Sequence, residues 1–417
     1  MLKFTLLLLL SSCSFFVNKI DTALVDEKEY LQNIPTIPTY CPLEQVPTLQ
    51  LVGTNTHSQT IFQEFISDSA SRQYDYYDKL ILWSLLQMSL RPDQSAPTSR
   101  FQIVSQWQGK TQYLDFFSEE PLDQFPVLFG LEWILKKSGK KTKLEYYAQI
   151  LDNKFPARLR VGKVLETFLQ KYAAKIKDHP KLAPMFVRGT QVLQENERVP
   201  RLSFTQVIRY YRSFEKKQKI IINTSLIPFQ SGDKRGDCNY DFNLYDNSIF
   251  LIDKVIPVAN IFGLTSGKGA FLASTSQKIT NLEPLNGFPL FLGESKVRSS
   301  AVCVLENEGQ KIWVYSNLSR DPGQHLFHLI RYGLGQSNNT AEVDKLIRHS
   351  RHLFLSDPVR LIIESGRSRS DQIENLLKLN IPIYNADRLG NVWAYSMFGD
   401  QSRFIIDDRN IGAFSCK

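Results

Sequence analysis

Apolar positions along this chain follow two rhythms. From residue 56 to about residue 200 they recur at three- and four-residue steps. Tyr77 to Leu90 sets Leu80, Ile81, Trp83, Leu85, Leu86 and Met88 on one wide stripe that Arg91-Pro92 ends. Phe125 to Lys137 repeats the pattern up to Gly139, and Ala157 to Asp178 carries Leu159, Val161, Val164, Leu165, Phe168, Leu169, Tyr172 and Ile176 before His179-Pro180. Such spacing predicts amphipathic helices whose stripes are core, so residues 56–200 are expected to form a helical domain.

Beyond Arg201 the texture changes. A helical stretch from Phe204 to Lys217 precedes the short apolar run Ile220-Ile221-Ile222, and Ile249 to Val258 has strand character broken by Pro257. Ser300–Glu306 and Lys311–Ser316 flank a turn bearing Gly309, which predicts a hairpin, and Asn391–Phe398 with Ser402–Asp407 predicts a second one around Gly399-Asp400. Between them, Arg360–Glu364, a helix from Asp371 capped by Asp371 and Glu374, and Ile381–Tyr384 predict a strand–helix–strand unit with parallel strands. The expected fold class is therefore mixed α+β or α/β, with the helical domain followed at 201–417 by an α/β domain holding a mixed sheet.

The N-terminus carries an address. Lys3 precedes an apolar run from Phe4 to Leu10, two serines and Cys13. This is the layout of an export signal, and it is too short to span a bilayer, which takes about 20 apolar residues. Leu10-Ser11-Ser12-Cys13 resembles the lipobox of bacterial lipoproteins. The resemblance implies cleavage of residues 1–12, a diacylglyceryl group and a further acyl chain such as palmitate on Cys13, and attachment to membrane lipid. Ser14, where an Asp favours retention in the inner membrane, favours the outer membrane. Residues 13–55, with Pro35, Pro38, Pro42 and Pro47, are expected to form an extended tether.

Four further cysteines, Cys41, Cys238, Cys303 and Cys416, form an even set that fits disulfides in an exported chain, with three pairings open. A net charge of +8 suits anionic lipid or an envelope protein as partner. The densest basic cluster, Lys136 to Lys143, lacks the interleaved aromatics of a nucleic-acid platform, so nucleic acid is not expected.

Candidate chemistry is sparse. Residues 360–414 resemble the closing half of phospholipase-D-like proteins, in which a βα unit leads to a His-x-Lys-x-x-x-x-Asp motif and Gly-Ser. Gln401 stands at the His position, Arg403 at the Lys, Asp408 at the Asp and Gly412-Ala413 at the Gly-Ser. The resemblance implies a phosphodiesterase or, because an amide is no nucleophile, an inactive descendant. His325 with His328, and His349 with His352, each set two imidazoles three residues apart, near Asp321, Asp344 and Asp357, as a candidate metal site. Gly263 to Gly269 is one residue short of a phosphate loop, Ser225 and Ser368 lack a nucleophile elbow, and Arg367, Arg369 and Ser370 occupy a strand-to-helix turn that suits an anion. No cofactor is expected. The expectation is an exported, lipid-anchored envelope protein with a binding or structural role, or alternatively the phospholipase-D-like enzyme.

Overall fold

The computed structural model describes residues 39–42, 49–67, 74–120, 123–231, 234–239, 259–266, 269–279, 282–296, 299–307, 309–317, 321–356, 359–368, 370–378, 380–409 and 413–416. Strand β1 (Leu49–Gly53) leads into helices α1 (Thr56–Ser67) and α2 (Tyr76–Leu90) and the hairpin β2 (Arg100–Trp107) and β3 (Lys110–Phe117). Helices α3 (Pro126–Lys137) and α4 (Leu144–Lys154) follow, then β4 (Arg158–Arg160), α5 (Lys163–Lys171), α6 (Ala173–Asp178), α7 (Ala183–Phe186), β5 (Val187–Arg188), β6 (Gln191–Val192), β7 (Arg198–Pro200) and α8 (Phe204–Phe214). Strands β8 (Ile221–Asn223), β9 (Ile227–Ser231), β10 (Lys234–Cys238), β11 (Asn260–Ser266), β12 (Gly269–Ser276), β13 (Ser300–Asn307) and β14 (Gln310–Asn317) come next. The chain then forms α9 (Pro322–Arg331), α10 (Thr340–Arg348), β15 (His352–Ser356), β16 (Val359–Ile363), α11 (Ser370–Leu377), β17 (Ile383–Asn385), β18 (Asn391–Phe398), β19 (Gln401–Ile406) and β20 (Ala413–Cys416).

Local chemistry sets many of these limits. Asp75 accepts from the Asp78 amide at 3.0 Å while the Asp78 carboxylate accepts from the Asp75 amide at 2.9 Å, a reciprocal cap that starts α2. Asp321 and Asn339 cap α9 and α10 one way, accepting from the Gln324 and Glu342 amides at 2.9 and 3.0 Å. The β2–β3 turn places Gln108 and Gly109 both at positive φ, the turn that matches strand twist.

Two antiparallel sheets lie face to face. One runs β20-β1-β11-β12-β2-β3-β8 and the other β19-β18-β14-β13-β10-β9. Val52, Val104, Ile261 and Leu272 of the first meet Val302, Trp313, Tyr315, Trp393, Tyr395 and Phe404 of the second. Helices α1 to α4 and α8 cover the outer face of the first sheet, and α9 and α10 that of the second. The architecture is helix, sheet, sheet, helix, a mixed α+β fold. The hairpins β13–β14 and β18–β19 form as the sequence predicts, and β16 pairs with β17 in parallel across α11, in a small sheet with β15.

Two expectations are revised. The boundary near residue 200 does not divide the sheets, because β12 pairs with β2 and β1 pairs with both β11 and β20. The long helix from Ala157 is broken: β4 pairs with β7 and a helix begins only after Gly162. Arg158-Leu159-Arg160-Val161 alternates exposed and buried, a period of two inside an apparent helical stripe. The expected strand at 249–258 lies outside the described residues, as does the side chain of Asp371. Among the described residues no helix is long and apolar enough to cross a membrane.

Gly130 lets α3 press onto the sheet. A Cβ there would stand 2.8 Å from a ring atom of Phe116 and 2.9 Å from one of Phe101. Gly130→Ala gains helix propensity but overpacks two buried rings, so we expect a net loss of about 1–2 kcal/mol, read as a lower urea midpoint at unchanged slope.

Candidate functional site

At one end of the interlayer the packing turns polar. Arg100 donates from Nε and Nη2 to the two carboxylate oxygens of Asp115 at 2.8 and 2.6 Å, and both side chains are buried. Gln102 donates to the Tyr113 hydroxyl at 3.2 Å and accepts from Ser300 Oγ at 2.8 Å, while Ser300 and Ser274 hydroxyls lie 2.9 Å apart. Asn239 accepts from the Val302 amide at 2.9 Å and donates to the Tyr113 hydroxyl. This network stitches β2, β3 and β12 of one sheet to β13 of the other.

A second polar group lies on the opposite face of the first sheet. Asn260, the first residue of β11, donates to Gln87 Oε1 at 3.1 Å and Ser95 Oγ at 3.0 Å and accepts from Thr54 Oγ1 at 3.2 Å. Ser95 Oγ is 2.6 Å from Thr275 Oγ1. Residues 91–99, which supply Ser95, are buried throughout and held by a two-pronged Arg91–Asp93 pair at 2.8 and 2.7 Å.

Nucleophilic catalysis requires a hydroxyl within hydrogen-bond reach of a group that takes its proton. Ser274 and Ser300 meet each other and the Gln102 amide; Ser95 and Thr275 meet each other and Asn260. Among the described residues, then, these hydroxyls meet hydroxyls and amides, groups that accept no proton near neutral pH. Sequence reasoning missed both groups, whose members lie as far apart as Gln102 and Ser300. Their one local trace is the polar run from Arg91 to Arg100, punctuated by Pro92 and Pro97.

The residues marked by the phospholipase-D-like resemblance do not come together. Gln401 opens β19 exposed at the hairpin tip opposite Phe398, Arg403 is buried opposite Ser396, and Asp408 lies beyond the other end of the strand. An extended strand advances about 3.3 Å per residue, so β19 alone puts about 16 Å between Gln401 and Ile406, and Asp408 follows Ile406 in a turn. Asp408 instead pairs with Arg367 at 3.0 Å, which places Arg367 in an internal contact rather than at an open anion site. Arg369 and Gly412 lie outside the described residues. Gly263 and Gly269 belong to the β11–β12 hairpin.

The four histidines are buried, and two of them are stacked on each other. His328 and His352 lie face to face, centroids 3.9 Å apart, and Tyr332 covers His349 at 4.8 Å. Metal ligation needs ring nitrogens aimed at one point about 2.0–2.1 Å away. Stacked planes aim theirs apart, and among the described residues no group of three His, Cys, Asp or Glu side chains is arranged to hold a metal. Asp321 caps α9, Asp344 binds Thr39 and Arg348, and Asp357 lies outside the described residues. Cys41 pairs with Cys416, and Cys238 with Cys303, its partner across β10 and β13. Cys13 lies outside the described residues.

Burial depresses all four imidazoles. His325 is pushed well below the usual range by desolvation and then by Arg351, His328 by desolvation and His352, and His349 by desolvation. His352 falls to about 3, through desolvation, His349 and Arg331. The unfolded chain thus binds protons below about pH 6.5 that the folded chain refuses, so stability rises with pH in that window and is lost as pH falls. The expected slope is about 1.4 kcal/mol per pH unit for each imidazole, and His352→Gln should flatten it by about one imidazole's share in urea titrations between about pH 7 and pH 4.

No family model matches this chain, and no curated protein matches it in sequence. Its fold is similar to solved ones. The structure titled LmbA2991T421A superposes with a TM-score of 0.64 at 8% identity, covering 92% of this chain and 100% of that one. A cephalosporin acylase from Bacillus halodurans superposes with a TM-score of 0.55 at 9% identity, covering 94% and 99%. At that identity the likeness is one of fold: this chain and those proteins share a common architecture over almost their whole lengths.

Proposed function

We propose that this chain is an exported protein anchored by lipid at Cys13 to a bacterial envelope membrane, the outer one favoured, and that its sandwich binds a ligand or partner without turning it over. The observation that carries the second half is the chemistry of the two polar groups flanking the first sheet. Among the described residues their hydroxyls, Ser95, Ser274, Thr275 and Ser300, are hydrogen-bonded to one another and to amides, with no base in contact. The fold it shares with a cephalosporin acylase would accommodate acyl transfer, but fold does not carry function without the reacting groups. The separation of Gln401, Arg403 and Asp408, along β19 and beyond its end, gives the phosphodiester reading no support.

The anchor half rests on Leu10-Ser11-Ser12-Cys13. It is supported by the other four cysteines being committed to two disulfides, as suits an oxidising compartment, which leaves Cys13 outside both pairs. Two or more acyl chains, each methylene contributing about 0.8 kcal/mol, would hold such a protein on a bilayer essentially irreversibly.

Cells fed an alkyne-bearing fatty acid should label the wild-type protein, and Cys13→Ala should abolish labelling while the protein still accumulates; label retained on Cys13→Ala overturns the anchor. Purified protein should hydrolyse chromogenic amides and esters no faster than buffer, with Ser300→Ala indistinguishable from wild type. A turnover that Ser300→Ala or Ser95→Ala removes would overturn the binding reading.

A further inference from the structure

The two-stranded ribbon of β4 and β7 carries an arrangement that costs stability unless something else is bound. Arg160 and Arg198 are direct partners across it, and Arg158 lies two residues from Arg160 on the same face. Leu159 and Val199 occupy the buried face, while all three arginines are exposed. Directly opposed residues on one face place their Cβ atoms about 4.5–5.5 Å apart, and like charges there repel. Among the described residues no carboxylate forms an ion pair with any of the three. Glu197, the acid next to Arg198, is turned instead to Arg188 at 3.3 Å and to the Gln194 amide at 2.6 Å.

Arg158, Arg160 and Arg198 line a cleft of about 590 Å³ together with His57, Ile61, Pro156 and Ala157. Its geometry is fixed by two bonds from one side chain: Asn55 donates to the Arg160 carbonyl at 2.9 Å and accepts from the Ser58 amide at 3.0 Å, joining the ribbon to the start of α1. Gly162 permits that approach, since a Cβ there would stand 3.2 Å from both Asn55 Nδ2 and the Thr54 carbonyl. The proton affinity of the His57 ring is lowered by partial burial and then by Arg160, against the opposing effect of Glu64.

We propose that this cleft is a binding site for a phosphate-bearing ligand, its oxygens held by Arg158, Arg160 and Arg198 and the body of the ligand lying on Ile61, Pro156 and Ala157. Guanidinium forks match phosphate oxygens two at a time, and three arginines on one exposed ribbon face with no carboxylate paired to them among the described residues suit a phosphate group. A free phosphorylated solute and an anionic phospholipid headgroup share this chemistry. The site goes beyond the anchoring reading and does not depend on it.

The test uses the full-length chain carrying Cys13→Ser, so that acyl chains contribute nothing to membrane binding and failure of the anchor leaves this result untouched. Inorganic pyrophosphate should bind in calorimetry and raise Tm by a few degrees. Arg160→Gln and Arg198→Gln should each weaken that binding about tenfold, and together about a hundredfold. Without pyrophosphate the same variants should melt no lower than their parent, because they relieve repulsion rather than remove a bond; this shows that lost binding is not lost folding. Vesicles of phosphatidylcholine containing phosphatidylglycerol should pellet the parent and not the double variant if the ligand is a headgroup, and pellet neither if it is a soluble phosphate. Binding of pyrophosphate and vesicles that is absent from the parent, or equal in parent and double variant, overturns the proposal.

Discussion

Trp313, Tyr315, Trp393 and Tyr395 from one sheet pressed against Val104, Ile261 and Leu272 from the other form the contact that every other element requires. Each fully buried side chain of this size contributes about 1.5–3 kcal/mol, so the interlayer is a large share of what holds the chain folded. It also imposes order on assembly. The first sheet draws strands from near residues 50, 105, 265 and 415, and none of its central pairs except the hairpins β2–β3 and β11–β12 is local. The helical layers therefore gain their support only once distant parts of the chain have met, the topology of a slow folder.

Charge is used beneath the second sheet where apolar packing alone would not fix position. Arg409 holds Glu364 through Nε and Nη2 at 2.8 and 2.6 Å and Asp407 through Nη1 at 3.0 Å, with all three side chains buried. Arg351 completes the group against Asp407, and the Leu389 and Val392 amides donate to the Glu364 and Asp407 oxygens that Arg409 and Arg351 also hold. Arg351 and Arg409 hold the Asp407 carboxyl well below the usual carboxylate range against the opposing effect of burial. Such a group adds little net stability over apolar packing, yet losing one member leaves charge stranded, so it fixes where β15–β17 sits on the sheet. The stacked histidines lie beside it and share its desolvation.

What the sequence disclosed depended on distance along the chain. The hairpins at Gly309 and Gly399 and the β16–α11–β17 unit were legible because turn residues and apolar alternation lie within a few positions of each other. The boundary at residue 200 was not real as a sheet divider, because strand pairing across more than 150 residues leaves no local mark on Phe101 or Phe271. The ribbon at Arg158 was hidden because Leu159 and Val161 satisfy a helical stripe and a strand alternation equally well. Site residues fared likewise. Cysteines declare their chemistry and were found, while Ser300, Gln102 and Asn260 acquire meaning only from neighbours elsewhere in the sequence, and the two imidazoles that stack, His328 and His352, belong to different sequence pairs.

The Cys41–Cys416 bond has a mechanical side. Cys416 lies opposite Gln50 in the register of β20 with β1, and Cys41 precedes β1 in the chain. Any pull arriving from the N-terminal side therefore meets a covalent link to the last strand before it loads the hydrogen bonds of β1. While that sulfur bridge is intact, force enters the sheet through two strands at once; once it is reduced, the same force would begin to peel a single strand away from its neighbour.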